Sequence, residues 1–193
     1  VPQMKNKAFN DFANTLKAED IALVYGYAVS WLGYIQTHSD DWAVVAELGR
    51  AKTLLQKVVE FDEQYDNAGA HLYLGAIATT LPPALGGQPE IGRAHFERAL
   101  EITNNQSLLI KVEFARRYAR GTFNQELHNQ LLNEVLKASP NVKGLTLMNT
   151  WAQQQARALL ATESDYFDWD LPYAFVIVIA IHPDQHPGYG QYL

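Results

Sequence analysis

No cysteine occurs among the 193 residues, which excludes disulfides, thiol chemistry and zinc–thiolate sites and leaves the compartment undecided. Long apolar runs are absent too. The longest, Ala174 to Ile181, falls well short of the roughly 20 residues that a membrane-crossing helix needs. Charged residues make up only 19% of the chain, with a net charge of −6, and no basic patch is interleaved with aromatics. Nothing therefore points to nucleic acid as a partner, or to electrostatic attachment to anionic lipid. No GxSxG, Walker loop, GxGxxG or HExxH is present, which makes an enzyme the weaker class of function. The opening VPQMKNKAF lacks the charged-then-apolar pattern of a secretory signal. The expectation is a mature or trimmed chain whose targeting segment precedes Val1.

What is present is a core-forming composition, 48% hydrophobic, in a pattern of helices. Phe9, Phe12, Ala13 and Leu16 recur at helical spacing and predict a first helix over residues 4–16. Asp20 is placed to cap a second helix running to Thr37, with Ile21, Val24, Tyr25, Ala28, Leu32 and Ile35 as its apolar face. Ser39-Asp40-Asp41 opens one long helix from Trp42 to Glu63. Asp66-Asn67 caps a helix that ends at Pro82-Pro83, because proline cannot donate to the preceding turn. Gly86-Gly87 gives the following loop its freedom, and Pro89 suits the first turn of the next helix. Asn104-Asn105 closes that helix, and Ser107 opens another to Arg120, where Gly121 is the expected left-handed terminator. Thr122 to Gln125 reads as a capping box for a helix to Ala138, and a last helix spans Leu145 to Ala161.

The stretch His71 to Ile102 carries a repeat signal. Gly92, Phe96 and Ala99 follow the small-x3-Phe-x2-Ala pattern of a tetratricopeptide (TPR) second helix, and Leu72, Leu74 and Gly75 stand where a first helix has its Leu-Gly. Gly75 and Phe96 are 21 positions apart, about five more than the usual repeat allows. The surplus is the turn Pro82 to Gly87. Ala51-x3-Leu55-x2-Val58 aligns with the same pattern one repeat earlier. The fold class expected is all-α: a right-handed helical solenoid of irregular TPR-like antiparallel helix pairs over residues 1–167, with a plain orthogonal bundle as the alternative, followed by an extended tail over 168–193.

HLYLG (71–75), the LGG turn (85–87), GRAHFERALEI (92–102), VEFARRYA (112–119) and the helix LMNTWAQQQARALL with the following ESDYF, all within 147–167, together resemble the T component associated with TRAP transporters. Those transporters use an extracytoplasmic solute-binding subunit to import organic acids. The resemblance implies a periplasmic, lipid-anchored, non-enzymatic accessory protein with cryptic TPRs. It further implies a homotrimer, a solute-binding subunit as partner, and a channel or groove suited to a hydrophobic small molecule. The family's lipid-bearing cysteine is missing, as truncation before Val1 would explain. The segment 168–193 extends beyond the usual family end near Phe167.

Within this scheme Tyr27, Trp31, Tyr34, Tyr73, Phe114, Tyr118 and Trp151 are the ligand-groove candidates, with Tyr25 beside them. They fall on the first helices of the pairs or on the last helix, and first helices line the concave face of a TPR array. The plainer alternative for each is a core position. Arg116, Arg117 and Arg120 favour a helix C-terminus or an acidic partner. His71 and His95 lie on helices that the repeat would pair, where either could line a groove, but His95 precedes the core residue Phe96 and is expected at the surface. Asp62, Glu63 and Asp66 read as a solvated corner, and His38 to Asp41 as a helix cap. His182, Asp184 and His186 are metal-ligand types, but Pro183 and Pro187 oppose a shared face and a polar turn is preferred. No cofactor or metal is expected. In the tail, Phe175 to Ile181 is an aggregation hazard if exposed. Three readings of it compete: a segment filling the protein's own groove, an arm exchanged with a neighbouring subunit, and a cloning or frame artefact. Two functional alternatives stand beside the transporter reading: a generic TPR adaptor for peptide tails, and a metal-dependent helical enzyme using the tail histidines.

Overall fold

The computed structural model describes residues 5–167, which are helical with no strand among them. The all-α expectation therefore holds, and the expected tail, with its histidines, lies outside the described residues. The helices are α1 (Asn6–Ala13), α2 (Ile21–Thr37), α3 (Trp42–Val45), α4 (Leu48–Phe61), α5 (Tyr65–Ala78), α6 (Pro89–Ile102), α7 (Leu108–Glu113), α8 (Gln125–Lys137), α9 (Thr146–Ala161) and α10 (Glu163–Phe167). From Phe114 to Ala119 the backbone of α7 continues as a wider π-helical turn. Helix α2 packs on α4, α4 on α5, α5 on α6, and the π turn and α9 both pack on α8.

Two apolar clusters form the interior. The first joins Phe9, Val24, Ala28, Trp31 and Ile35 to Leu54, Leu55 and Val58 of α4 and to Ala70 and Leu74 of α5. The second joins Phe96 and Ala99 of α6 to Ile110, Val112, Phe114, Leu132, Val135, Ala152 and Ala156, and includes Ala68 of α5. Helix α5 thus serves both clusters. It approaches α6 closely because Gly92 has no side chain: a Cβ there would reach Thr79 and the Gly75 carbonyl. Phe96 fills the adjacent space over Gly75, and it is fully buried.

Several element ends differ from the sequence expectation, each for a local reason. Helix α1 stops at Ala13, three residues early. The expected single helix from Trp42 to Glu63 is interrupted between α3 and α4, leaving Trp42 83% exposed. The Asp20 carboxylate accepts from the Lys17 N–H and makes no bond into α2. Asp66 and Asn67 do not cap α5. With Ala68 they form a left-handed run inside it, at φ 49°, 55° and 60°, a conformation that Asp and Asn tolerate best among non-glycine residues. Gly121 has no left-handed backbone; Phe123 takes that position at φ 54°, its ring stacked on Tyr166. The Thr122 hydroxyl donates back to the Tyr118 carbonyl, and Asn124 caps α8 by accepting from the Leu127 N–H.

Ser107 also makes no side-chain cap. The first N–H of α7, on Leu108, donates instead to Asn149 Oδ1 at 2.9 Å, while Asn149 Nδ2 donates to the Gln106 carbonyl at 2.9 Å. Asn149 is fully buried, so one amide from α9 satisfies a helix start 41 positions away in sequence. Near the other end of α9, Arg120 donates to the Leu159 carbonyl, to Thr162 Oγ1 and to His128 Nε2. His128, itself fully buried, must stay neutral at Nε2 to accept that bond, and its Nδ1 faces Asn129 Oδ1 at 2.9 Å.

Two outcomes follow from these contacts. Asn149→Ala leaves the Leu108 N–H and the Gln106 carbonyl without their partner, and equilibrium denaturation should register a loss of about 2–4 kcal/mol. Burial, with Arg120 adding to it, holds His128 below the ordinary histidine range. The unfolded chain then takes up a proton below about pH 6.5 that the native state resists, so this stabilisation is complete above that pH and drains away as the pH falls through the lowered native value. The midpoint of thermal unfolding should be level above pH 7 and drop as the pH falls below about 6.5. His128→Gln should make that drop shallower, and an unchanged slope would remove His128 from the account.

Candidate functional site

Helix α2 contains no acidic or basic residue. Val24, Ala28, Trp31 and Ile35 face the interior. On the other side Leu23 is 75% exposed, Tyr34 51% and Tyr27 37%, with Ala22, Gly26, Ser30 and Gly33 exposed between them. The Tyr27 ring leans on Trp31 and the Tyr34 ring on His38. The result is an uncharged, partly aromatic strip along the outside of the domain.

A second constellation crosses the domain. Tyr25 of α2 lies against Tyr65 and Tyr73 of α5, with ring centroids at 5.3 and 6.4 Å. Burial, with the Asp66 carboxylate reinforcing it, pushes the pKa of its hydroxyl up. The same hydroxyl occupies the place a side chain would take at Gly69. Burial also raises the Tyr73 hydroxyl, with Asp66 and Glu113 adding to it. Glu113 is clamped from both sides: Arg116 Nη1 donates to Oε1 and Arg117 Nε to Oε2, each at 2.7 Å. Arg116 Nη2 then reaches Gln155 Oε1 of α9 at 2.7 Å. A band of tyrosines, two carboxylates and two guanidiniums therefore links α2, α5, α7 and α9.

The seven candidate residues do not share one surface. Tyr27 and Tyr34 stand on the outer strip, and Tyr73 is half-buried in the band. Trp31 packs edge-on against Phe9 in the first cluster. Phe114 is buried and stacked on Phe96 at 5.3 Å. Tyr118 is buried and donates its hydroxyl to Glu90 Oε1 at 2.8 Å. Trp151 is 38% exposed on α9, near Leu147 at 80% and Met148 at 40%. Spacing placed these rings on the right helices but could not say which way each turns. Tyr65, Asp66, Glu113 and Gln155 complete the band without having been singled out for it. Their signal was weak, since acids and amides on a helix are ordinarily solvated.

His71 and His95 correct another expectation. His71 is buried and His95 is not fully exposed, and their Nδ1 atoms stand 2.9 Å apart. Glu63 Oε2 lies 3.4 Å from His71 Nε2, and Arg98 pairs with Glu63 and Glu101. The supposed acidic corner is thus part of a polar chain across α5 and α6. Asp41 does cap a helix, accepting from the Ala43 N–H at 2.8 Å. A shallow cleft of about 210 Å³ opens beside the left-handed turns, lined by Gln64, Asn67, Asn104 and Gln106 with Ile102, Thr103 and Leu145. Among the described residues no group of three metal-ligating side chains comes together, and no helix is long and apolar enough to cross a membrane.

No curated protein matches the chain. The model of the family described as TRAP transporter T-component matches residues 1–167, which takes in every described helix. On that match the chain, an accessory component of a TRAP transporter, belongs to the TRAP transporter T-component family.

Proposed function

We propose that this chain is a non-enzymatic periplasmic accessory protein that binds the solute-binding subunit of a TRAP-type uptake system through the outer face of α2. The observation that carries this reading is a helix without charge on any side that leaves Leu23, Tyr27 and Tyr34 in solvent. A helix apolar all round is ordinarily buried. A contiguous apolar patch with aromatics on a folded domain marks a contact surface.

The rest of the proposal follows the family. The order of packing, α2 with α4, α5 with α6 and the π turn with α8, supports a right-handed solenoid of irregular TPR-like pairs. Tyr73, with Glu113, Arg116 and Arg117 beside it and Trp151 further along α9, offers an apolar ligand a greasy wall and a polar end. Trp31, Phe114 and Tyr118 back that wall from the interior. Assembly as a homotrimer and a lipid anchor belong to the same reading. A generic peptide adaptor is the second reading, favoured by the amide-lined cleft at Gln64, Asn67, Asn104 and Gln106, since such side chains pair with a peptide backbone.

Leu23→Glu and Tyr27→Glu, made separately, should each weaken binding of the cognate solute-binding subunit by about tenfold or more, as loss of a central interface anchor does. Because the Leu23 side chain faces solvent, the thermal midpoint of Leu23→Glu should stay within about 2 °C, whereas Tyr27→Glu also loses the ring contact with Trp31 and should fall further. Unchanged affinity in both variants would take α2 out of the interface.

A further inference from the structure

Positive charge collects at one place on a chain that is acidic overall. Residues 135–162, from the end of α8 through α9, contain Lys137, Lys143 and Arg157 and no acid. That span therefore carries +3, while the other 12 cations and the 21 acids leave the remainder of the chain at −9. All three cations are exposed, and none is held in an ion pair among the described residues. The acids on either side are directed elsewhere. Glu134 pairs with Lys111 at 2.6 Å, and Glu163 accepts from the side chains of Gln125 and Asn129.

The same span carries an apolar face. Leu147 is 80% exposed, Met148 40% and Trp151 38%. Leu147 and Trp151 stand one turn apart on the side of α9 away from the buried Asn149, Ala152 and Ala156. Arg157 is exposed further along the helix, and Lys143 lies just before its start. Lys137 is kept close because Gln153 Nε2 donates to the Val135 and Ala138 carbonyls, which ties the end of α8 to α9. Spread from 137 to 157, the three cations are too sparse to read as a basic patch in the sequence. The fold arranges them around the apolar face.

This face differs from the outer strip of α2 in the respect that selects a partner. Helix α2 has no charge to offer, whereas α9 sets leucine, methionine and tryptophan among unpaired cations. A helix of that composition suits the boundary between lipid headgroups and acyl chains. Tryptophan favours that boundary because its ring is apolar and its N–H is polar. Lysine and arginine lay apolar stems along the boundary and keep their charge among phosphates. We propose that α9 lies on an anionic phospholipid surface, with Leu147 and Trp151 entering the headgroup layer and Lys137, Lys143 and Arg157 meeting phosphates. The −9 on the remainder of the chain turns the other faces away from such a surface, so the contact orients the domain as well as holding it.

The test sediments the full-length chain with vesicles of phosphatidylcholine, alone or with about one-third phosphatidylglycerol. Binding to the anionic vesicles should be half-saturated at about 1 mM lipid and about tenfold or more weaker on phosphatidylcholine alone. Leu147→Glu should weaken it by about tenfold, and Lys143→Gln and Arg157→Gln by about fivefold each. Leu147→Glu should leave binding of the solute-binding subunit unchanged, so the α2 reading stands or falls separately. No sedimentation with anionic vesicles, or sedimentation that survives the three changes combined, would overturn the proposal. So would a mass in lipid-free solution that falls on Leu147→Glu, since the face would then belong to a second copy of the chain.

Discussion

The structure depends on how closely α5 and α6 can approach. Gly92 lies against Thr79 and the Gly75 carbonyl, with no room for a side chain. Phe96 enters the space over Gly75 and stacks in turn on Phe114. Through this contact the cluster built on α2 and α4 is joined to the one built on α7, α8 and α9. Any larger residue at Gly92 pushes the helices apart, and the cost falls on both clusters at once, because close-packed interiors relax only in part. The same approach brings His71 to His95. The junction that holds the fold together thus also creates the most unusual polar contact in it.

A second constraint secures the C-terminal half. The start of α7 lies in the interior, where an unpaired N–H is expensive. Asn149 supplies the missing acceptor from α9, and the Gln106 carbonyl takes one of its amide hydrogens. Arg120 repeats the device by holding the carbonyl end of α9. These fastenings free the outer face of α2 and the exposed side of α9 from any structural duty. Leu23, Tyr34 and Leu147 can be apolar and exposed without weakening the domain, and that freedom makes a recognition role for α2 physically reasonable.

Much of the fold was legible in the sequence because it is written in local spacing. Gly92, Phe96 and Ala99 are all buried as their pattern implied. Pro89 opens α6, and the left-handed backbone at Gly86, φ 90°, sits within the expected Pro/Gly turn. The closure of α6 by Asn104 and Asn105 was equally readable, since both adopt the left-handed conformation that asparagine tolerates. What spacing could not reveal were features fixed by distant contacts. Asn149 capping α7, Tyr25 seated over Gly69 beside the left-handed Asp66 to Ala68, and the position of Phe123 against Tyr166 all depend on residues far away in sequence. The candidate site was legible to the level of helices only. Periodicity put Trp31, Phe114 and Tyr118 among the candidates, and packing then turned all three inward.

The central claim is that an uncharged helix face on a T-component domain is the surface that meets the solute-binding subunit. Hydrogen–deuterium exchange of the full-length chain, with and without that subunit, tests it most directly. The account predicts new protection concentrated within residues 21–37, with α6 and α8 unchanged. Protection centred on α9 or on the amide-lined cleft, with α2 exchanging as in the free protein, would contradict it.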